Sequence, residues 1–291
     1  MRRKHCNAQG VLFTAACFGT NSTRSAVGHL KREKGLPVVR LLFCRPFGDD
    51  NRVTDREDSE PHSAAHAAFE TKWVPGASMP IQTIDVVSDV VCPWCFIGKR
   101  RLERALDLYA AARPDARPRV TWRPFELNPD LPPEGVNRAD YYRRKFGDRV
   151  EEIVARVGAA GRTAAIDFRF DRIERQPNTL AMHALIEHAA DEGAQDAVVE
   201  AFFRAFFLDG IDLTDRANVK SVAVAAGLDG THVDEILASD GARAQIAAHE
   251  SAARRLGIQG VPYFIFDGRV AVSGAHEPEV LLEAMLQAEP V

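Results

Sequence analysis

The chemistry in this sequence concentrates in four residues, Cys92-Pro93-Trp94-Cys95. Two cysteines three positions apart can hold a zinc ion, form a reversible disulfide, or lie buried as small hydrophobes. Zinc needs two further ligands at suitable spacing. No second Cys-x-x-Cys exists in the chain, and the histidines after Met79 (His183, His188, His232, His249 and His276) are distant in sequence. His183 and His188 are five apart, so they share a helix face poorly. No metal site is therefore expected. The disulfide reading gains from context, because a Cys-x-x-Cys between a strand and a helix is the redox setting.

The flanking residues supply that context. Ile81 to Ser88 is β-branched and partly alternating, which predicts a strand. After the cysteines, Phe96, Ile97, Leu102 and Leu106 recur at helical spacing among Lys99, Arg100, Arg101, Glu103 and Arg104. Pro93 suits the first turn of that helix, where a missing N–H costs nothing. The cysteines then sit at a helix N-terminus, whose unpaired N–H groups and dipole favour an anion. A thiolate in that position has its pKa lowered into roughly the 3.5–7.5 range. Cys92 is the expected nucleophile and the exposed member. Cys95, deeper in the helix, is expected to be more buried and to resolve the mixed disulfide. Pro93 and Trp94 set the stiffness of the loop. With Val261 and Pro262 they are the expected substrate-binding residues, since Gly260-Val261-Pro262 before a strand could hold an extended substrate against Cys92.

The remaining elements follow from period and punctuation. Arg119 to Glu126 reads as a second strand, with Pro124 pointing to an edge or an early stop. From about Ala139 to Leu256 the pattern is helical. It includes Ala181–Ala190, Ala197–Phe207, Ala217–Ala226 before Gly227, a helix opened by a Thr231/Asp234 capping box, and Ala242–Leu256 before Gly257. Val261–Phe266 and Val270–Ser273 are short strands around Asp267-Gly268, a strong hairpin signal, and Pro278–Ala288 is a last helix. The order predicts an α/β core at about 81–127 and 257–289, with a large all-helical insertion at about 137–256.

Composition limits the wider reading. The chain has 291 residues, 46% hydrophobic and 27% charged, close to globular averages. No apolar run is long enough for a transmembrane helix. A net charge of −4 gives nucleic acid no overall pull. That charge is uneven: residues 1–78 balance at +4 and the rest at −8. Three of the five cysteines (Cys6, Cys17, Cys44) lie in the basic part, which shows no sustained periodicity. Arg2-Arg3-Lys4 before Val11–Phe18 is a poor secretory signal, with a short apolar run and no clean small-x-small site. The scarcity of acids before residue 49 offers an organellar transit peptide as another reading. The favoured expectation is that residues 1–78 are a disordered extension or an upstream start, with residues 79–291 as the folded domain and Met79 as the working start.

Several landmarks together resemble a known family. They are Ser88-Asp89 before Val91-Cys92-Pro93-Trp94-Cys95, Phe125-Glu126-Leu127-Asn128-Pro129, Asn178-Thr179 opening a helix, Gly260-Val261-Pro262-Tyr263-Phe264, and Val272-Ser273-Gly274-Ala275. This set resembles the DsbA branch of the thioredoxin superfamily, and more narrowly the FrnE-like dithiol–disulfide oxidoreductases, over about Ile81 to Ala288. The resemblance implies a thioredoxin-like fold with a large all-helical insertion (DsbA-like), disulfide exchange, a cis bond before Pro262, and Cys92, Cys95 and Pro262 as site residues. Trp94 stands where the best-known DsbA pattern has His, which puts a strongly oxidising character in doubt. A related branch, the 2-hydroxychromene-2-carboxylate isomerases and kappa-class glutathione transferases, commonly has Ser in the place of Cys92. The intact Cys-x-x-Cys favours redox exchange over that glutathione-dependent isomerase or transferase chemistry. No bound cofactor is expected, with glutathione admitted as a co-substrate. Expected partners are thiol or disulfide substrates, protein or glutathione, and a second copy in a homodimer, with no nucleic acid and no membrane. The expected compartment is cytoplasmic, with periplasmic or exported as the alternative.

Weaker signals remain. Asp85 on the first strand could move protons to Cys95 or be solvated or paired. Glu126 could line the cleft or be a solvated loop carboxylate. Trp122, Phe125 and the Phe202–Phe207 stripe read as core rather than peptide-binding surface. His276 is expected to cap the last helix or face solvent. Lys99, Arg100, Arg101 and Arg104 read as a solvated face, with a lesser role in binding glutathione carboxylates.

Overall fold

The β-branched run before the cysteines forms strand β2 (Thr83–Ser88), and the helical pattern after them forms α1 (Pro93–Ala112). In the computed structural model, residues 79–290 are described, together with the backbone of a three-residue strand β1 (Arg40–Leu42). The readings of the rest of residues 1–78 fall outside the described residues. β3 (Arg119–Pro124) follows α1, and the chain then enters a block that carries most of the helices. That block holds α2 (Arg138–Phe146), α3 (Val150–Thr163), α4 (Leu180–Asp191), α5 (Gln195–Arg204), α6 (Arg216–Ala225), α7 (Gly230–Ala238) and α8 (Asp240–Arg255). The chain returns through β6 (Tyr263–Phe266), β7 (Val270–Ser273) and α9 (Pro278–Ala288).

Among the described residues the main sheet has the order β1-β7-β6-β2-β3. β2 runs parallel to β3 and antiparallel to β6. The β6–β7 hairpin turns through Asp267-Gly268-Arg269, with positive φ at Asp267 and Gly268 (48° and 64°) and the Arg269 N–H donating to the Phe266 carbonyl at 2.9 Å. β3 lies at an edge, where Pro124 removes no needed ladder donor. β1 is the other edge and pairs parallel with β7. α1 packs on α9, and α9 packs on β6 and β7.

The helical insertion departs from a purely helical reading in one place. Val136–Asn137 (β4) pairs with Arg175–Gln176 (β5) in a small antiparallel sheet. Two-residue strands are too short to leave a periodic signal. The start of α7 also differs. Asp229, not a Thr231/Asp234 box, caps it, accepting from the N–H groups of Thr231 (2.8 Å) and His232 (3.1 Å).

The insertion is joined to α1 by aromatic packing and by charge. Phe96 stacks on Phe203 at 5.0 Å and 12°, and Trp122 meets Phe203 edge-on. Such pairs contribute about 0.5–1.5 kcal/mol beyond the area they bury. Trp122, Phe125 and the Phe202–Phe207 stripe are core, as expected. The basic face of α1 is not solvated as expected. Lys99 is only 3% exposed and meets Glu103 (2.5 Å), Asp196 (3.0 Å) and Glu200 (3.4 Å). Arg100 pairs with Glu103 and Glu200, and Arg101 with Glu277 (2.5 Å). Asp196 and Glu200 on α5, Glu103 on α1 and Glu277 ahead of α9 hold these cations, so they are not free to bind glutathione carboxylates. Arg104 alone of the four keeps an exposed side chain, 3.9 Å from Asp107.

Candidate active site

The strand-to-helix junction places the cysteines. After β2 the chain turns so that the Cys92 N–H donates to the Asp89 carbonyl (3.0 Å). Cys92 is the N-cap of α1, with φ −93° and ψ 110°, and Pro93 is in the first turn. The N–H of Cys95 donates to the Cys92 carbonyl at 3.0 Å. No acidic residue stands in the first turn, so nothing there opposes a negative charge at the helix start. Both cysteines are free thiols. Cys92 is 5% exposed and Cys95 1%. The expectation of an exposed Cys92 is thus corrected: the Val261 loop covers the sulfur, and what remains of it borders a cavity.

The residues around Pro262 complete the junction. The Val261–Pro262 bond is cis. The Cys92 thiol donates to the Val261 carbonyl at 3.6 Å across 169 residues of sequence. Pro262 is buried beside α1, where Gly98 makes room for it. A Cβ on Gly98 would lie 3.0 Å from the Pro262 ring and 3.1 Å from the Phe264 ring. Burial pushes the Cys95 thiol well above its ordinary range, and its hydrogen bond with Cys92 and the charge there push it further. Ser88 and the Asp89 backbone pull the other way.

Behind the junction lies a set of buried ionisable groups that sequence reasoning did not assemble. Asp89 is fully buried, and its carboxylate accepts the Leu127 N–H at 2.8 Å. His183 Nε2 lies 3.4 Å from Asp89 Oδ1 but has no hydrogen-bond partner. Glu126 is 4% exposed rather than solvated, and its N–H donates to Glu250 Oε1 at 2.5 Å. Its carboxyl is pushed up to about 7, by burial first and then by the charge of Glu250, with His183 opposing. Burial also raises Glu250. These groups come from the β2–α1 turn, the segment after β3, α4 and α8. The sequence signals for them are the Ser88-Asp89 and Phe125–Pro129 landmarks, which hold Asp89 and Glu126; His183 and Glu250 have none. Asp85 is not among them. It faces Arg123 on the neighbouring strand at 2.8 Å and is partly exposed, so it is an ion-pair partner rather than a proton carrier for Cys95.

A cavity of about 150 Å³ opens beside Cys92. Its lining includes Pro93, Trp94, Leu127, Tyr141, Tyr142 and Phe146, and Arg138 and Lys145 border it as well. Of the expected substrate-binding residues, Pro93 and Trp94 therefore line the cavity, while the Val261 carbonyl faces the sulfur from another side. The histidines distant in sequence are partly reunited elsewhere. His188 Nε2 is 3.1 Å from Glu192, and His232 Nδ1 is 3.9 Å from the same carboxylate, on the α4–α7 side of the insertion. His276 Nε2 lies 2.9 Å from the Ser273 carbonyl, ahead of α9.

Residues 83–286 match the family of DSBA-like thioredoxin domains. The chain belongs to that family. The DSBA-like core and helical insertion seen here are its fold, one shared with thiol–disulfide oxidoreductases. Among solved structures, the protein is similar to a probable DsbA oxidoreductase from Streptomyces coelicolor. The identity is 32%, with 72% of this chain and 92% of the other covered and a TM-score of 0.65. It is also 25% identical to the uncharacterized protein YwbO of Bacillus subtilis (strain 168), over 69% of this chain and 94% of that one. A 2-hydroxychromene-2-carboxylate isomerase shares the fold at 16% identity and a TM-score of 0.51, over 71% of this chain and 95% of the other. None of the described helices is long and apolar enough to cross a membrane.

Proposed function

We propose that this DSBA-like protein is a thiol–disulfide oxidoreductase that works through Cys92 and Cys95. The observation that carries the reading is the asymmetry between two free thiols one helical turn apart. Cys92 caps α1 at the edge of a cavity, while Cys95 is shut inside with its proton held firmly. In the oxidised protein a substrate thiolate attacks the Cys92 sulfur, forming a mixed disulfide and releasing Cys95 as a thiolate that takes up a proton. A second substrate thiol then displaces Cys92, leaving the substrate disulfide and the reduced pair. Run backwards, the same steps reduce a disulfide, with Cys95 giving up its proton as it attacks. The Val261 carbonyl, which meets the Cys92 thiol, is placed to accept from the backbone of an extended substrate.

Substrates of this reading are protein thiols and disulfides, with glutathione as a co-substrate, and no bound cofactor takes part. The test is insulin reduction by the purified protein and by Cys92→Ser and Cys95→Ser. The expected result is turnover by the wild type, none by Cys92→Ser, and a trapped Cys92 mixed disulfide in Cys95→Ser, detectable by intact mass. No dithiol turnover by the wild type would overturn the reading. Glutathione-dependent isomerase activity that survives Cys95→Ser would favour the isomerase or transferase alternative, whose fold is shared.

A further inference from the structure

The cavity beside Cys92 is mostly apolar, yet two cations border it without a carboxylate paired to either. Arg138 lies over the rings of Tyr142 (4.2 Å) and Phe170 (5.4 Å), and its Nη1 donates to the Phe170 carbonyl at 3.3 Å. Its Nη2 is buried and has no hydrogen-bond partner. Lys145 stands at the exposed mouth, 5.2 Å above the Tyr141 ring, and donates to Tyr141 Oη (2.7 Å) and Asn128 Oδ1 (3.4 Å). Among the described residues neither cation has a carboxylate within ion-pair distance. By contrast, Lys99, Arg100 and Arg101 on α1 each meet a carboxylate. A guanidinium nitrogen left dry and unpaired is costly unless something completes it. A space of about 150 Å³ is enough for one aromatic ring or a group of that size.

We propose that this cavity is a binding site for a small anionic disulfide, or its thiol, with an apolar or aromatic body and a carboxylate held between Arg138 and Lys145. This deepens the thiol–disulfide reading and rests on it. Aromatic walls take the body, the two cations take the carboxylate, and the disulfide meets Cys92 at the cavity edge. With the reduced protein, the Cys92 thiolate attacks one sulfur of the ligand, forming a Cys92 mixed disulfide and expelling one ligand thiolate. Cys95 then loses its proton to solvent and attacks Cys92, expelling the second thiolate. The ligand gains two electrons, and the protein ends as the Cys92–Cys95 disulfide.

The test is single-turnover stopped flow on the reduced full-length protein with three disulfide probes. These are dithiobis(nitrobenzoate), which is anionic and aromatic, dithiodipyridine, which is neutral and aromatic, and cystamine, which is cationic. Each rate is divided by that of a free model thiol, so intrinsic reactivity cancels. The expected result is a normalised preference for the anionic over the neutral probe of roughly tenfold, shrinking as salt is added. Lys145→Gln and Arg138→Gln should each remove most of it, Lys145→Glu should shift the preference toward cystamine, and Arg119→Gln, at an exposed position that starts β3, should leave the wild-type ratio. Because Arg138 also packs on Tyr142, circular dichroism checks its fold, and the exposed Lys145 variants carry the test by themselves. Reaction with all three probes but no charge preference, or a preference unmoved by the Lys145 variants, would overturn this site and leave the oxidoreductase reading standing. Failure of the reduced protein to react with any probe would bring down both.

Discussion

At the scale of residues, the site joins a part that the chain writes in one place to a part that it scatters. Cys92, Pro93, Trp94 and Cys95 are contiguous, and a turn, a capping position and a proline in the first helical turn are local facts. They could be read directly. Asp89, Glu126, His183 and Glu250 meet from four segments, and nothing in the local sequence says that Glu126 will be buried against Glu250. The same holds for Asp85, whose strand was legible but whose partner Arg123 depends on the β2–β3 register. A prediction belongs to Glu126. Its carboxyl is held up to about 7 in the fold against roughly 4.3 in an unfolded chain. Between those values the native state binds the extra proton, so stability falls as pH rises through that window and levels off above it. Glu126→Gln removes this dependence. Relative to the wild type, the variant should gain melting temperature between pH 5 and pH 8 (a shift of a few degrees on the order of magnitude expected for one group). A parallel change in both proteins across that range would contradict the buried, protonated Glu126.

At the scale of elements, most strands and helices were legible because their periodicities are strong and their ends are punctuated. Gly227 and Gly257 follow α6 and α8, and Asp267-Gly268 turns the hairpin. The β4–β5 pair was not, since two residues carry no period. The α7 start was misplaced because an Asp cap and a Thr-based box are both plausible patterns within five residues. One element interaction yields an unusual sign. Replacing an interior helical glycine by alanine normally stabilises a helix by about 1 kcal/mol. At Gly98 the added methyl would press on Pro262 and on the fully buried Phe264. Gly98→Ala should therefore destabilise the protein by roughly 1 kcal/mol or more and slow the Cys92 reaction. Urea midpoints and single-turnover rates check both. An increase in stability would show that the Pro262 loop yields freely.

At the scale of the whole molecule, the insertion is held to the core by Phe96 and Phe203 on one side and by the Lys99 ion-pair cluster on the other. The basic run on α1 looked like a solvated face because its partners, Asp196 and Glu200, lie about a hundred positions away. Lys99→Met should cost roughly 1–3 kcal/mol in urea unfolding, against under about 0.5 for Arg104→Met on the exposed side of the same helix. Equal small losses would mean that the cluster does not fasten the insertion. The sheet order has a further consequence, for synthesis. β2 is emitted among the first folded segments, yet it lies between β3 and β6, and β6 is among the last. Until residues 263–266 leave the ribosome, β2 presents an unpaired edge and Cys92 lacks its Val261 cover. The nascent chain is thus at its most oxidisable and most adhesive before its reactive centre exists as a centre.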